Sequence, residues 1–313
     1  LARAEIRDGK FTLTGSLPDT MEAGLYITGE KTYAILLLEN ADYRAHLHLK
    51  NPEANRVEGP ELQLLFAAYQ AIGNKTAGQT NELRNRYYSA RQKNDTATMN
   101  EVMRTMGKLG EQTGREQEQF REAHKDGFLA AYLLNKRMYQ YQNIEDLQRE
   151  YDQLGASAKA MKLTRQVVER LDEMAAFAPG KKAPDFTLPT PEGDSLSMYS
   201  IQGKVKILDF WSWCAPCRAE NPYMVELYKK YHRHGLEILS VSLDHQQAPW
   251  VKAIADDHLS WNHVMDTQDV SRGMYKLLCG IPHVIVLDEN NVIVANGIRG
   301  KQLDIKLKAI FGK

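Results

Sequence analysis

One stretch limits what this chain can fold into more than any other: an apolar segment that leads into two cysteines separated by two residues. The apolar run 205–210 predicts a buried strand, and a helix is expected to begin near Ala215. Cys214 and Cys217 therefore lie where a strand passes into a helix. The two intervening residues let the two sulfur atoms face each other, so the pair can close a small disulfide.

The position of Cys214 favours a reactive thiol. The exposed N–H groups and the dipole at a helix N-terminus stabilise an anion, so the thiolate form of Cys214 is expected to be favoured. Pro216 is compatible with the first turn, where a missing N–H has little effect. Cys217 lies one turn deeper, and its pKa is expected to be the higher of the two.

Cysteine pairs with this spacing also occur in zinc sites. Zinc needs two further ligands, usually a second such pair or closely spaced histidines. The chain has three cysteines, and the third, Cys279, stands apart, which favours a redox dithiol. His46 and His48 share one side of a predicted strand, but no third ligand is visible and a solvated strand face is the simpler explanation. We therefore predict no metal and no cofactor.

Further motifs accompany the cysteines. They are the runs 180–186 (Gly-x-x-Ala-Pro-x-Phe), 213–218, 241–244 and 280–282, with Glu220 and Pro222. From about residue 178 to the C-terminus, the chain resembles the thioredoxin superfamily, and in particular the envelope thiol–disulfide oxidoreductases of the TlpA and ResA type. Strands alternate with helices and end in a hairpin, so we expect an α/β domain with a mixed sheet and helices on both faces.

The remainder of the chain predicts two further parts. Residues 1–58 alternate with period two in places and resemble the C-terminal portion of a small β domain that precedes the thioredoxin unit in such envelope proteins. Residues 59–177 show apolar residues at helical spacing. A methionine stripe in this helical region suits a peptide-binding surface, although core packing is the preferred explanation. The predicted domains are therefore 1–58, 59–177 and 178–313.

The chemistry of a dithiol assigns a role to each cysteine. A thiolate attacks a disulfide sulfur, and a second thiol resolves the mixed disulfide. Cys214 is expected to attack and Cys217 to resolve. The resemblance implies that Pro282 is a cis-proline facing the dithiol, that the backbone of Ile281 pairs with an extended substrate peptide, and that Trp213 flanks the sulfur.

Two acids are candidates for accepting the proton of Cys217. Asp209 lies inside the apolar strand, where a carboxylate is otherwise costly. Relative to the family, one residue is missing between Asp209 and Cys214, so either the side-chain alternation is reversed or the turn is tightened. Glu220 follows Cys217 by three residues on the same helix, and we expect it to be the more important acid.

Composition and charge restrict the kinds of partner that this chain can bind. Forty basic and forty acidic residues cancel, which argues against nucleic acid. No apolar run is long enough to span a membrane. Leu1 does not look like a natural start, so we expect that an export segment or membrane anchor has been removed. The expected location is the periplasm or cell envelope, with disulfide-containing envelope proteins as substrates and a membrane electron-transfer partner.

The leading function is therefore a thiol–disulfide oxidoreductase that reduces or isomerises disulfides. A peroxidase of the peroxiredoxin type is an alternative, but the Pro-x-x-x-Thr-x-x-Cys pattern of such enzymes is absent. A second alternative is an envelope binding module that carries a redox-regulated thioredoxin domain. The intact cysteine pair argues against an inactive domain.

Overall fold

The structure is a computed structural model that describes residues 2–93, 95–277 and 280–312. The chain divides into two compact units, one of Leu1–Tyr132 with Leu154–Met161 and one of Leu133–Gln153 with Lys162–Lys313. The helical region is thus shared between the units, and the domain boundaries at 58 and 177 stay predictions. Within the described ranges, no helix is both long and apolar enough to cross a membrane.

The first unit begins with two separate antiparallel strand pairs. They are β1 (Met21–Tyr26) with β2 (Tyr33–Leu38), and β3 (Arg44–His46) with β4 (Arg56–Glu58). Strand β3 ends at His46, so it does not include His48, which was expected on the same strand. The reason is local: the backbone N–H of His48 donates to Asn55 Oδ1 at 2.7 Å instead of to a neighbouring strand.

Two long helices follow, α1 (Glu61–Gln92) and α2 (Thr96–Ala123). Asp95 caps α2 by accepting the Thr98 backbone N–H at 3.0 Å. The two helices are antiparallel. Lys75 pairs with Glu116, whereas Arg86, later on α1, pairs with Glu101, which is earlier on α2. Such exposed pairs contribute little stability, but they define an antiparallel hairpin. The short helix α5 (Ala156–Ala160) also belongs to this unit.

The second unit contains a five-stranded sheet and several helices. Its sheet strands are β7 (Val205–Trp211), β8 (Leu236–Ser242), β9 (Asn262–Met265), β10 (His283–Asp288) and β11 (Ile293–Asn296), and a separate hairpin joins β5 (Thr187–Pro189) to β6 (Ser195–Ser197). Its helices are α4 (Ile144–Gln153), α6 (Lys162–Ala175), α7 (Ala215–Tyr231), α8 (Gln247–Asp256), α9 (Val270–Met274) and α10 (Gly300–Phe311). Helix α3 (Gly127–Arg137) spans the boundary between the units.

Strand β7 lies at the centre of a five-stranded sheet with the order β11-β10-β7-β8-β9. Strands β7, β8 and β9 are parallel, whereas β10 runs antiparallel to both β7 and β11. Every residue of β7 is buried, as expected for a strand covered on both faces. The predicted mixed sheet of a thioredoxin-like domain is confirmed.

The two faces of β7 contribute to different hydrophobic clusters. Ile207 and Trp211 pack with buried residues of α7, α8 and α10. Leu208 and Phe210 face the other way, towards the segment 183–201 and the residues after α9. Alternation along the strand therefore supplies both cores.

Helix α10 provides a test of this packing. Leu307 is completely buried in the first cluster, whereas Ile305 on the same helix is 56% exposed. We expect Leu307→Ala to lower the free energy of unfolding by about 2–5 kcal/mol, because it removes buried methyl groups and leaves a cavity. The control Ile305→Ala is expected to change it by less than about 0.5 kcal/mol. Urea denaturation measures both values, and equal losses would contradict the assigned orientation of α10.

Candidate active site

The two cysteines lie between the end of β7 and the beginning of α7. Cys214 is the N-cap residue of α7, and Cys217 lies in its first turn. Both are free thiols, and their sulfur atoms are 2.9 Å apart. Cys214 is partly exposed, whereas Cys217 is 1% exposed. A disulfide of a substrate therefore has access to Cys214 first.

The surroundings of Cys217 hold it as a neutral thiol. Burial raises the pKa of Cys217, and its hydrogen bond with Cys214 raises it further. The negative charge of Asp209 acts in the same direction, whereas a backbone hydrogen bond at Ser212 opposes the shift. Cys217 therefore needs a nearby base before it can act as a nucleophile.

Asp209 is a buried carboxylate on β7 with a defined hydrogen-bond chain. Ser240, its neighbour in register on β8, donates from Oγ to Asp209 Oδ2 at 2.7 Å. Trp261 donates from Nε1 to Ser240 Oγ at 2.8 Å. Burial raises the pKa of Asp209 to about 6, the negative charge of Glu220 adds to the rise, and the Ser240 hydrogen bond opposes it.

Asp209 faces the same side of the sheet as Cys217. Ile207 and Trp211 belong to the hydrophobic cluster that contains Cys217, and Asp209 lies between them with the same side-chain direction. Of the two outcomes expected from the shortened spacing, reversed alternation is therefore wrong. The turn is tightened instead, since only Ser212 and Trp213 separate the end of β7 from Cys214.

Glu220 lies on α7 at the edge of the site. Its carboxylate is 3.7 Å from Arg299 Nη1, and its side chain is 32% exposed. The charge of Glu220 raises the pKa of Asp209. Glu220 therefore influences the buried acid from a position that water and Arg299 partly screen.

The predicted substrate-binding residues lie on two separate elements. The Trp213 side chain is 48% exposed, and its backbone N–H donates to Asp244 Oδ2 at 2.9 Å. The Ile281–Pro282 peptide bond is cis, as the resemblance implies. Ile281 is partly exposed and Pro282 is buried. Cys279 lies outside the described residues.

Sequence reasoning missed several residues that support the site. Ser240 and Trp261 complete the hydrogen-bond chain at Asp209, and Gln142 donates from Nε2 to the Pro282 carbonyl oxygen at 3.1 Å. A serine inside the apolar run 237–243 was the available signal for Ser240. Trp261 and Gln142 gave none, because their partners are distant in the chain.

The beginning of α7 is also tied to the end of α8. Arg218 forms a two-pronged ion pair with Asp257, in which its Nη2 lies 2.6 Å from Asp257 Oδ1. Asn221 donates to the same carboxylate at 2.6 Å. These contacts fix the helix turn that carries Cys217. Among the described residues, no group of three or more His, Cys, Asp or Glu side chains is arranged to bind a metal.

Comparison with known proteins finds sequence relatives among the thiol–disulfide oxidoreductases. A sequence profile of the AhpC/TSA family matches residues 179–296. The thiol–disulfide oxidoreductase ResA of Geobacillus thermodenitrificans is 35% identical over 137 residues, which are 43% of this chain and 78% of the relative. ResA of Bacillus cereus is 30% identical over 135 residues, or 43% of this chain and 77% of the relative.

Two solved structures of thiol:disulfide interchange proteins have sequences related to this chain. A thiol:disulfide interchange protein from Bacteroides sp. is 33% identical, with a TM-score of 0.41 over 44% of this chain and 93% of the other. A thiol:disulfide interchange protein DsbE from Chlorobium tepidum is 27% identical, with a TM-score of 0.41 over 44% of this chain and 99% of the other.

The buried carboxyl of Asp209 makes stability depend on pH. Its folded-state pKa of about 6 lies above the ordinary value, so the folded state keeps a proton that the unfolded state has released. The free energy of unfolding should therefore fall as pH rises from about 4 to about 6, by roughly 3 kcal/mol.

Asp209→Asn is expected to remove that fall, because the amide does not ionise. Urea denaturation at pH 4 and pH 7 should show the variant gaining stability relative to the wild type only at pH 7. The control Asp172→Asn changes an exposed aspartate and should leave the pH dependence as it is. An unchanged slope in Asp209→Asn would contradict the raised pKa.

Proposed function

The chain belongs to the ResA thiol–disulfide oxidoreductases of the thioredoxin superfamily, and we propose that it reduces or isomerises disulfides of cell-envelope proteins through Cys214 and Cys217. The observation that carries the proposal is an accessible thiol beside a buried one, with the buried Asp209 carboxylate on the same side of the sheet. Because family membership fixes the type of reaction, the proposal concerns the role of each residue, the substrates and the location.

The first step is attack on a substrate disulfide. The Cys214 thiolate forms a bond to one substrate sulfur, and the other substrate sulfur leaves as a thiolate that takes a proton from solvent. Cys214 is the N-cap residue of α7 and is partly exposed, so its sulfur is within reach of a substrate disulfide. Trp213 and the backbone of Ile281 hold the substrate peptide on either side of the mixed disulfide.

The second step is resolution by Cys217. Asp209 accepts the proton of the Cys217 thiol, and the resulting thiolate attacks the Cys214 sulfur. The second substrate sulfur leaves as a thiolate and takes a proton from solvent, and Asp209 returns its proton to solvent. The products are a Cys214–Cys217 disulfide and two substrate thiols, so two electrons have moved to the substrate. With a pKa of about 6, the Asp209 carboxylate is ionised at neutral pH and available to accept that proton.

We assign the envelope as the location because protein disulfides persist mainly in oxidising compartments outside the cytoplasm. The oxidised pair must be reduced again after each turnover, and a membrane electron-transfer partner is the proposed source. The exposed indole of Trp213 beside the partly exposed Cys214 suits a protein partner better than a small thiol.

A peroxidase of the peroxiredoxin type is the second candidate, and the AhpC/TSA match at 179–296 favours it. The Pro-x-x-x-Thr-x-x-Cys pattern is absent, and the second cysteine lies in the same helix turn as the first. This arrangement suits exchange between disulfides. Peroxide consumption by the reduced protein separates the two activities.

Trapping tests the assignment of the two cysteines. In Cys217→Ser the first step remains but resolution is blocked, so mixed disulfides with substrate proteins are expected to accumulate. Cys214→Ser should trap nothing, because Cys217 is buried. Non-reducing electrophoresis and mass spectrometry of the adducts measure both outcomes. Equal trapping by the two variants would overturn the assignment.

The pH dependence of the resolution step tests which acid accepts the proton of Cys217. Sequence favoured Glu220, but we propose Asp209, because Asp209 is buried on the side of the sheet that faces Cys217. Asp209→Asn is expected to slow that step on the order of a hundredfold at neutral pH and to remove the inflection near pH 6. Glu220→Gln should keep most of the rate but move the inflection to lower pH, because loss of its negative charge lowers the pKa of Asp209. Stopped-flow tryptophan fluorescence follows the step, and a larger loss in Glu220→Gln would restore that residue as the principal acid.

A further inference from the structure

The segment that precedes the five-stranded sheet reaches the loop of the cis-proline. Gln142 lies between a short 3-10 turn, Met138–Gln140, and helix α4. Its side-chain amide donates to the carbonyl oxygen of Pro282 at 3.1 Å. Proline has no N–H, so this carbonyl is the backbone polar group through which residue 282 can be held.

Two features hold Gln142 in place. Asn143 caps α4, since its Oδ1 accepts the Asp146 backbone N–H at 2.8 Å and its Nδ2 donates to the Asp146 carboxylate at 2.7 Å. On the other side, Gly297 follows β11 with a φ of +69°, and a Cβ at that position would lie 2.2 Å from the Gln142 carbonyl oxygen. The backbone of Gln142 therefore packs directly against a residue that must be glycine.

The part of the chain before residue 178 makes two further contacts with the part that follows it. Arg170 on α6 is 4% exposed and donates from Nη1 to the Lys276 carbonyl oxygen at 3.4 Å. Asn296 donates to the Phe177 carbonyl oxygen at 3.0 Å, and its Oδ1 lies 2.7 Å from Nε2 of His283, the residue after Pro282. The cis-proline is thus braced by residues that precede the thioredoxin-like part of the chain.

We infer that Gln142 is a positioning residue that presents the Ile281–Pro282 backbone to peptide substrates. The inference rests on the proposed function, in which Ile281 pairs with an extended peptide. Without the Gln142 amide, the Pro282 carbonyl loses a partly buried partner, and the loop is free to turn its backbone groups away from the substrate. A small disulfide without peptide groups needs no such pairing. Gln142 therefore favours disulfides carried in a polypeptide.

The test compares two substrates. One is a fluorescence-quenched peptide closed by a disulfide, and the other is the small aromatic disulfide DTNB. In Gln142→Met, which keeps the length of the side chain but not the donor, the KM for the peptide should rise about three- to tenfold, with kcat unchanged. The rate with DTNB should stay within about twofold of the wild type.

Two further variants define the result. Gln148→Met is the matched control, because Gln148 lies on α4 and donates to Asp152 of the same helix. Gln142→Glu places a carboxylate opposite the Pro282 carbonyl and should raise the KM for the peptide more than Gln142→Met does. It also keeps the test available if Gln142→Met does not fold.

The outcomes separate this inference from the proposed function. A peptide KM in the Gln142 variants equal to that of Gln148→Met would overturn the positioning role, and so would an equal loss with both substrates. If the wild type reduces DTNB but not the peptide disulfide, the proposed function is wrong. A rise confined to the peptide KM, in the order Gln142→Glu above Gln142→Met above wild type, supports the inference.

Discussion

The redox site depends on a buried carboxylate that lies on the same side of the sheet as the buried thiol. Asp209 is buried on the central strand, and an isolated charge in such a place is strongly unfavourable. The protein lowers that cost through a chain of two hydrogen bonds, in which Trp261 donates to Ser240 and Ser240 donates to Asp209. The part of the cost that these hydrogen bonds do not offset appears as the raised pKa of Asp209. The raised pKa makes the carboxylate a better proton acceptor.

Two further features fix the surroundings of this carboxylate and of Cys217. Parallel pairing of β7 with β8 places Ser240 beside Asp209 in register. The ion pair of Arg218 with Asp257 connects the first turn of α7 to the end of α8. The two thiols differ in exposure although only two residues separate them, and this difference supports the proposed roles of attack for Cys214 and resolution for Cys217.

Local sequence was sufficient to predict the strand, the cysteine pair, the helix and the mixed sheet, because each of these is encoded by periodicity or by a short motif. It was insufficient for the direction of Asp209, because that depends on how a turn absorbs one missing residue. Its partner Ser240 lies on β8, and Trp261 lies just before β9, so both contacts depend on how the whole sheet pairs. Gln142 lay beyond reach altogether, since its partner is 140 residues away.

Gly297 has a consequence for how such chains change over time. A side chain there would collide with the Gln142 backbone, so this edge of the sheet and the helical segment before it constrain each other's sequence. A recombination event that joined another thioredoxin-like unit after residue 177 could replace Gly297 with a larger residue, which would not fit against the Gln142 backbone. The two stretches are therefore expected to be inherited as a pair, and a transplant of this redox unit into a new protein should carry the segment around Gln142 together with the sheet.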